Sequence, residues 1–478
     1  MVNTDELEHA LFEAERRVRE IQTKLHRWAT GDPHCRFDDL FNLVGDPAFL
    51  LVAWDRVRGN KGARTAGVDG QTAHEIEARL GVEVFPARLR SGLKDRTFQP
   101  IAVRERMIPK PGTNKRRRLG IPAVRDRVVQ ASLKLVLEPI FEADFLPCSY
   151  GFRPKRRAHD AVAEVHHFAK HSYEWVVEGD ITACFDEISH SALLERVRRR
   201  IGDKRVLALV KAFLKAGILG EDGAVRDTQT GTPQGGILSP VLANVALSVL
   251  DEHVADMPGG PRSTQWERAK RRRNGLANYR LARYADDFVI MVSGTKAHAE
   301  ALLTEVAAVL STVGLRLSPD KTLITHIAEG LDFLGWRVQR HRKRGTTSRH
   351  YVYIYPAKKA LRAVMAKVKT ACHQDTNLPL EVLLHQLNRM LRGWTAYFRH
   401  GCSSATFNYL RSYLWAQVFG WLRRKHRRAT WKELRRRFTR DGWWPADGDL
   451  ALFNPAAVHT KRYYYRGAQI PSPWPSVV

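Results

Sequence analysis

Apolar positions recur at helical spacing towards both ends of the chain and at strand spacing in its middle, and this change of period organises the sequence. Residues 1–30, "MVNTDELEHALFEAERRVREIQTKLHRWAT", predict a polar amphipathic helix, acidic first and basic further on. A second helical patch follows in "DDLFNLVGDPAFLLVAWDRVRGN", and "KGARTAGVDGQT", rich in Gly and Thr, predicts a loop. Residues 100–127, "PIAVRERMIPKPGTNKRRRLGIPAVRDR", predict two short strands joined by a basic turn at Pro111–Asn114, a hairpin with its cations at one end. The period becomes helical in "DRVVQASLKLVLEPIFEADF" and is interrupted by "PCSYGFRPKRR". "VHHF" at 165–168 reads as helix surface, and "WVVEGDI" at 175–181 as a buried strand ending in an acid.

In "SPVLANVALSVLDEHV", residues 239–254, Ser239 is expected as N-cap and Pro240 at the first helical position, with Leu242, Val245, Val249 and Leu250 on one face. A flexible basic insert, "PGGPRSTQWERAKRRRNG", separates this helix from the strand-like runs "LARY" and "FVIMV". A helix near 297–313, a stop at Gly314, a strand "LRLS" and the segment "GLDFLGWRVQ" follow. The order strand–helix–strand–strand–helix–strand over 175–338 predicts an α+β fold with an antiparallel sheet. From about residue 355 the pattern is helical, with arginine and aromatic residues interleaved, and no internal repeat is evident.

Composition narrows the function. The 478 residues exceed what one hydrophobic core serves, so two or three domains are expected. With 78 Lys+Arg against 50 Asp+Glu, a net charge of +28, the chain is suited to a large polyanion, nucleic acid before membrane. No apolar run approaches the ~20 residues of a spanning helix, and the N-terminus is not a signal peptide, so the protein is expected inside the cell. The five cysteines, at 35, 148, 184, 372 and 402, form no CxxC pair, and no HExxH, GxxxxGK[ST] or GxGxxG occurs. Zinc-ribbon, ATPase and dinucleotide chemistries are thereby disfavoured.

The stretch "RLARYADDFVIMVSG" puts Asp286 and Asp287 side by side in an apolar run. Their repulsion and desolvation favour protonation unless a cation compensates. Strands on either side place the pair at a hairpin bend, and Asp180 ends another strand of the same sheet, so three acids converge if those strands are neighbours. Hard oxygen ligands of this kind suit Mg²⁺, and two ions ~4 Å apart would clamp the attacking hydroxyl and leaving pyrophosphate of a nucleotidyl transfer. Taken alone, a four-residue motif is weak evidence, and an ordinary hairpin turn with exposed acids accounts for it more readily.

The motif does not stand alone. "GVDGQT" (67–72), "MIPKPGTNKRRRLGIP" (107–122), "SYGFRP" (149–154), "EGDITACFDEISH" (178–190), "GTPQGGILSPVLANV" (231–245), "RYADDF" (283–288), "GLRLSPDKT" (314–322), "FLGW" (333–336) and "RGWTAYFR" (392–399) occur in this order. In this combination the chain resembles the reverse transcriptases encoded by group II introns, the intron maturases. The resemblance implies a right-hand polymerase with an α-helical thumb. It assigns 1–75 to an N-terminal helical extension and loop, 76–174 to fingers and 175–338 to a palm with a basic insert near 257–276. A thumb and maturase region would occupy 339–440 and a tail 441–478. It further implies that Asp180, Asp286 and Asp287, with the Ile181 carbonyl as an extra ligand, hold two Mg²⁺ ions, Mn²⁺ being able to substitute. Phe185 matches the bulky side chain that excludes a 2′-hydroxyl and so favours dNTP. Lys110 and Arg117 match the pair gripping the triphosphate, with Arg116 and Arg118 as ambiguous neighbours. Gln234 matches a residue supporting the nucleotide pocket, and Gly235 and Gly236 let backbone approach a base pair. Lys321 matches a lysine assisting pyrophosphate departure. In "WLRRKHRRATWKELRRRF" (421–438), Arg423, Arg424, Arg427 and Arg428 would contact template–primer phosphates, with Trp421, Trp431 and Phe438 turned inward.

The implied partners are group II intron RNA, an RNA template with DNA or RNA primer, target DNA and dNTPs. Without a CxxC pair the chain resembles the endonuclease-lacking members, and "KRYYYRG" in the tail is a further candidate for nucleic-acid contact. Two other readings stay open at this stage: a non-catalytic splicing factor with a relic polymerase site, and a domesticated enzyme serving host defence or repair.

Overall fold

The structure, a computed structural model, describes residues 4–109, 116–343, 345, 349–374, 376–440 and 442–474. The predicted N-terminal helix spans Thr4–Gly31 and packs with Pro47–Gly59 against Val124–Asp144. The last of these is buried almost all round, so its polar side chains bond to loops rather than to water. Arg127 donates to the carbonyls of Pro122, Gly62 and Thr65, Ser132 to that of Val44, and Gln130 accepts from the Ile237 amide. The helix Ala73–Lys94, which the hydrophobic pattern does not announce, begins at a Thr72–Glu75 capping box and is kinked at Gly81 (φ 74°). The basic hairpin forms as Val103–Pro109 against Arg116–Ile121, antiparallel; its turn lies outside the described residues.

The middle of the chain builds a four-stranded antiparallel sheet in the order 278–284, 287–293, 175–179, 323–326. Alternation along these strands serves two cores. Val177, Phe288, Ile290 and Val292 join the helices Ser239–Asp256 and Lys296–Ser311, whereas Val176, Val289 and Met291 join Ala158–Ala169. Both faces are thus covered, which explains why strand 287–293 reads as a continuous apolar run.

Several expectations are corrected. Ser239 is not the N-cap: that position is Leu238, and the Ser239 hydroxyl donates to the Pro233 carbonyl instead. The basic insert contains a capped helix, Gln265–Arg273, so it is not simply irregular. "LRLS" contributes only a single bridge, Leu317 to Ile181, and the fourth strand comes later, at Leu323–His326. "VHHF" is a packing face, because His166 Nε2 bonds the Val352 carbonyl at 2.9 Å and His167 stacks on Tyr465.

A second antiparallel sheet, 331–333, 336–342 and 350–356, leads into the helices Lys358–Gln374, Leu380–Phe398 and Ser404–Lys425, which share their own core. Trp431–Phe438 is a separate helix, so the arginine-rich stretch is broken at 426–430. The small strands 439–440, 444–447 and 450–451 interrupt the expected all-helical end. Among the described residues no helix is long and apolar enough to cross a membrane.

Candidate active site

Tyr284 pairs with Asp287 across the hairpin, which leaves Ala285 and Asp286 as a two-residue loop, with Ala285 in the left-handed region (φ 58°). On the other side Gly179 pairs with Phe288, so one further step in the register brings Asp180 abreast of Asp287. Glycine is required at 179, since a Cβ there would run into the Phe288 ring. At this hairpin end of the sheet Asp286 is half-buried and Asp287 exposed.

The turn rests on a buried cation that sequence reasoning quoted only as a motif letter. Arg283 is wholly buried; its guanidinium grips Asp251 at 2.7 and 2.5 Å and donates to Asn244 Oδ1, Ser149 Oγ and the Ala285 carbonyl. Asn244 in turn donates to the Gly151 carbonyl, and a Cβ on Gly151 would lie 3.0 Å from Ala285 Cα. Three stretches of the motif set, "SYGFRP", "GTPQGGILSPVLANV" and "RYADDF", therefore meet beneath Asp286.

Asp180 is held from the neighbouring loop. The Thr182 amide donates to the Arg316 carbonyl and the Ser318 amide to the Asp180 carbonyl, flanking the Ile181–Leu317 bridge. The Ile181 carbonyl stays outside those bonds. This loop delivers Lys321, whose Nζ lies 2.6 Å from Asp180 Oδ2. Among the described residues no three His, Cys, Asp or Glu side chains are already drawn together around a metal position. The Asp180 carboxylate is turned to the ammonium instead. Three carboxylates and one carbonyl at the end of a rigid sheet, one of them already attracting a cation, are nevertheless a donor set that fits Mg²⁺ or Mn²⁺.

Phe185 stands on the short helix Cys184–Glu187, half-buried, with the Phe152 ring edge-on at 6.4 Å. Arg117 is exposed on strand Arg116–Ile121, paired with Ile108; Lys110 lies outside the described residues. Arg118 Nε is 3.6 Å from the Glu105 carboxylate. Gln234 Nε2 is 3.4 Å from Asp186 Oδ2, while the Gln234 carbonyl accepts from the Gly120 amide. Asp186, which the motif analysis did not single out, is partly desolvated, and this raises its carboxyl above the ordinary range despite the facing Arg118 and Arg117. Gly235 (φ 120°) has a reason within the protein: a Cβ would lie 2.7 Å from the Gly120 carbonyl. At Gly236 it would meet Ser239 Oγ at 2.7 Å. Gly235 thus lets the loop pack on the basic hairpin, and Gly236 lets it close on the start of the helix Ser239–Asp256.

In the C-terminal region Trp421 and Phe438 are buried as expected, but Trp431 is 46% exposed, with the Arg423 guanidinium over its ring at 5.9 Å. Arg424 donates to the Cys372 carbonyl and so also ties two helices together, whereas Arg427 and Arg428 are exposed. The tail segment "KRYYYRG" docks on protein: Tyr463 and Arg466 bond Asp160, and Tyr465 stacks on His167, leaving Tyr464 exposed.

Comparison with known proteins identifies the family. The family described as "Reverse transcriptase (RNA-dependent DNA polymerase)" matches residues 108–338, and "Group II intron, maturase-specific domain" matches 361–440. Protein YkfC of Escherichia coli (strain K12) is 39% identical over 345 residues, covering 68% of this chain and 90% of that protein. Group II intron-encoded protein LtrA of Lactococcus lactis subsp. cremoris is 33% identical over 362 residues, 66% of this chain and 58% of that protein. An uncharacterized 91 kDa protein in the cob intron of Schizosaccharomyces pombe is 32% identical over 341 residues, 63% of this chain and 41% of that protein. A reverse transcriptase match over 108–338, a maturase-specific match over 361–440 and a 39% identical relative covered over 90% of its length lead to one conclusion: the chain belongs to the group II intron-encoded reverse transcriptases and maturases.

Proposed function

We propose that this chain is an RNA-directed DNA polymerase that binds group II intron RNA, promotes its splicing and copies RNA into DNA for retrohoming at a target DNA. In this reading residues 76–174 act as fingers, 175–338 as palm and 339–440 as a helical thumb of a right-hand polymerase. The observation that carries it is the register that sets Asp180 abreast of Asp287 with Asp286 in the adjoining turn, inside the matched reverse transcriptase stretch.

Asp180, Asp286 and Asp287, with the Ile181 carbonyl, would hold two Mg²⁺ ions, or Mn²⁺ in their place. Bound there, the metal supplies Lewis-acid stabilisation of the attacking 3′-oxygen and the departing pyrophosphate. The chain's own groups do the rest. Phe185 sets an apolar wall where a ribonucleotide's 2′-hydroxyl would fall. Arg117 and Lys110 orient the triphosphate by charge-assisted hydrogen bonds, and Gln234 supports the nucleotide pocket. Lys321 releases Asp180 and turns to the leaving pyrophosphate. The exposed Arg423, Arg427 and Arg428 meet template–primer phosphates, a contact that weakens with salt.

Primer extension on a defined RNA template with Mg²⁺, with dNTPs or rNTPs, tests this beside Asp286→Ala/Asp287→Ala. Extension with dNTPs alone, absent in the double variant, is expected. Salt-sensitive RNA binding without extension by folded wild type would move the protein to a splicing role only.

A further inference from the structure

Among the described residues seven non-glycine residues have positive φ, and three of them surround the acidic turn: Ala285 (58°), Ala183 (42°) and Phe152 (59°). Alanine tolerates this region better than a bulky residue, so Phe152 is the unusual member. Its neighbours enforce the conformation. Before it, the Gly151 carbonyl accepts from Asn244 Nδ2 at 2.8 Å, and Gly151 lies against the Ala285 backbone. After it, Arg153 is buried, paired in bidentate fashion with Glu142 at 2.9 and 2.7 Å and bonded to the carbonyls of Leu146 and Ser149.

Little is gained for folding in return, because Phe152 remains 47% exposed. The ring forms a T-shaped pair with Phe185, with the centroids 6.4 Å apart and the planes at 76°. A strained backbone that presents an apolar ring to solvent, beside the acids and anchored through their turn, has its use in the complex with substrate.

We infer that Phe152 is a second specificity-determining residue of the nucleotide site. Together with Phe185 it forms an aromatic corner that packs against the deoxyribose of an incoming dNTP and braces the Phe185 ring against a 2′-hydroxyl. The inference rests on the reading of Phe185 as the sugar gate.

Single-nucleotide incorporation on an RNA template with a DNA primer tests it, measuring KM and kcat for dTTP and UTP in the full chain. Phe152→Asn suits the left-handed backbone and removes the ring, so its Tm is expected to match or exceed wild type. Loss of the ring contact is expected to raise the dTTP KM about tenfold with little change in kcat, and to lower dTTP-over-UTP discrimination by about tenfold. Phe152→Tyr should restore both values, and Phe152→Gly is the second ring-free variant should the asparagine protein fold poorly. Wild-type KM and discrimination in the ring-free variant, with discrimination lost in Phe185→Ala, would overturn the inference alone. Discrimination unchanged in Phe185→Ala as well would overturn the gate reading beneath it.

Discussion

The Lys321 ammonium lies 2.6 Å from the Asp180 carboxylate, on a loop strapped to residues 180–182 by two backbone hydrogen bonds. A divalent ion held by Asp180 as proposed would compete with this ammonium for the same oxygen. The pair is partly solvent-exposed, so the competition is modest. Lys321→Met is expected to tighten Mn²⁺ binding about two- to fivefold, the range an exposed ion pair supports. Titration of free Mn²⁺ by electron paramagnetic resonance reads this without turnover. An unchanged affinity would show that the ion pair offers no resistance to the metal.

Arg283 and Asp251 present the opposite case, an ion pair with no exposed side-chain surface. Removing one partner strands the other charge in the core. Arg283→Met is therefore expected to lose about 3–5 kcal/mol in urea unfolding. Arg283→Met/Asp251→Leu should recover part of that loss, because no charge is then left unpaired. Equal losses in the single and double variants would show that packing and not charge dominates at this position.

The strands and their acids were legible because burial of both faces leaves continuous apolar runs that end visibly at Asp180 and at the Asp286–Asp287 pair. The helix Ala73–Lys94 was not, because Gly81 and Pro86 interrupt its periodicity while the capping box and tertiary packing hold it together. Ser239 carries a helix-start signal, but its hydroxyl found a better acceptor at Pro233. The supporting roles of Arg283 and Asp186 depend on partners far away in sequence, such as Ser149, 134 residues before Arg283. No local pattern encodes such contacts. Trp431 defeats the rule that aromatics turn inward, since a guanidinium stacked on its face replaces burial.

Glu164 gives the stability a pH dependence. Burial raises its carboxyl from 4.5 to about 8, an effect that Arg280 only partly offsets, and the Tyr150 hydroxyl donates to it. Between those two values the folded chain keeps a proton that the unfolded chain has released. The group's stabilising contribution is complete below about pH 4.5 and is lost as pH rises towards 8. Glu164→Gln removes this titration. The variant's stability relative to wild type should climb by roughly 1 kcal/mol per pH unit across the window and level off above it. Urea melts of both proteins at pH 5.5, 7 and 8.5 would show parallel curves if Glu164 titrates normally.

The tail gives a prediction about how the two halves of the chain are joined. Asp160, nearly inaccessible to water at the start of helix Ala158–Ala169, accepts from the Arg466 guanidinium at 2.9 and 2.8 Å and from the Tyr463 hydroxyl at 3.0 Å. Further on, the Trp474 indole donates to Gln22, and Ser472 bonds His26, so the end of the chain reaches back to the first helix. Arg466 is the only cation bonded to the Asp160 carboxylate among the described residues, and the Arg157 amide and Tyr463 cannot neutralise it. Arg466→Ala is expected to cost about 1–3 kcal/mol, the range for leaving a buried charged group short of its partner. It should also speed tryptic cleavage at the exposed Lys461 and Arg462, since the strap beyond them would then lose its ion pair and keep only the Tyr463 hydrogen bond, the Tyr465 stack and the Ser472 and Trp474 contacts as polar and ring ties. Wild-type cleavage kinetics in the variant, with the stability lowered, would mean that the tryptophan end and not the Asp160 cluster keeps the strap closed.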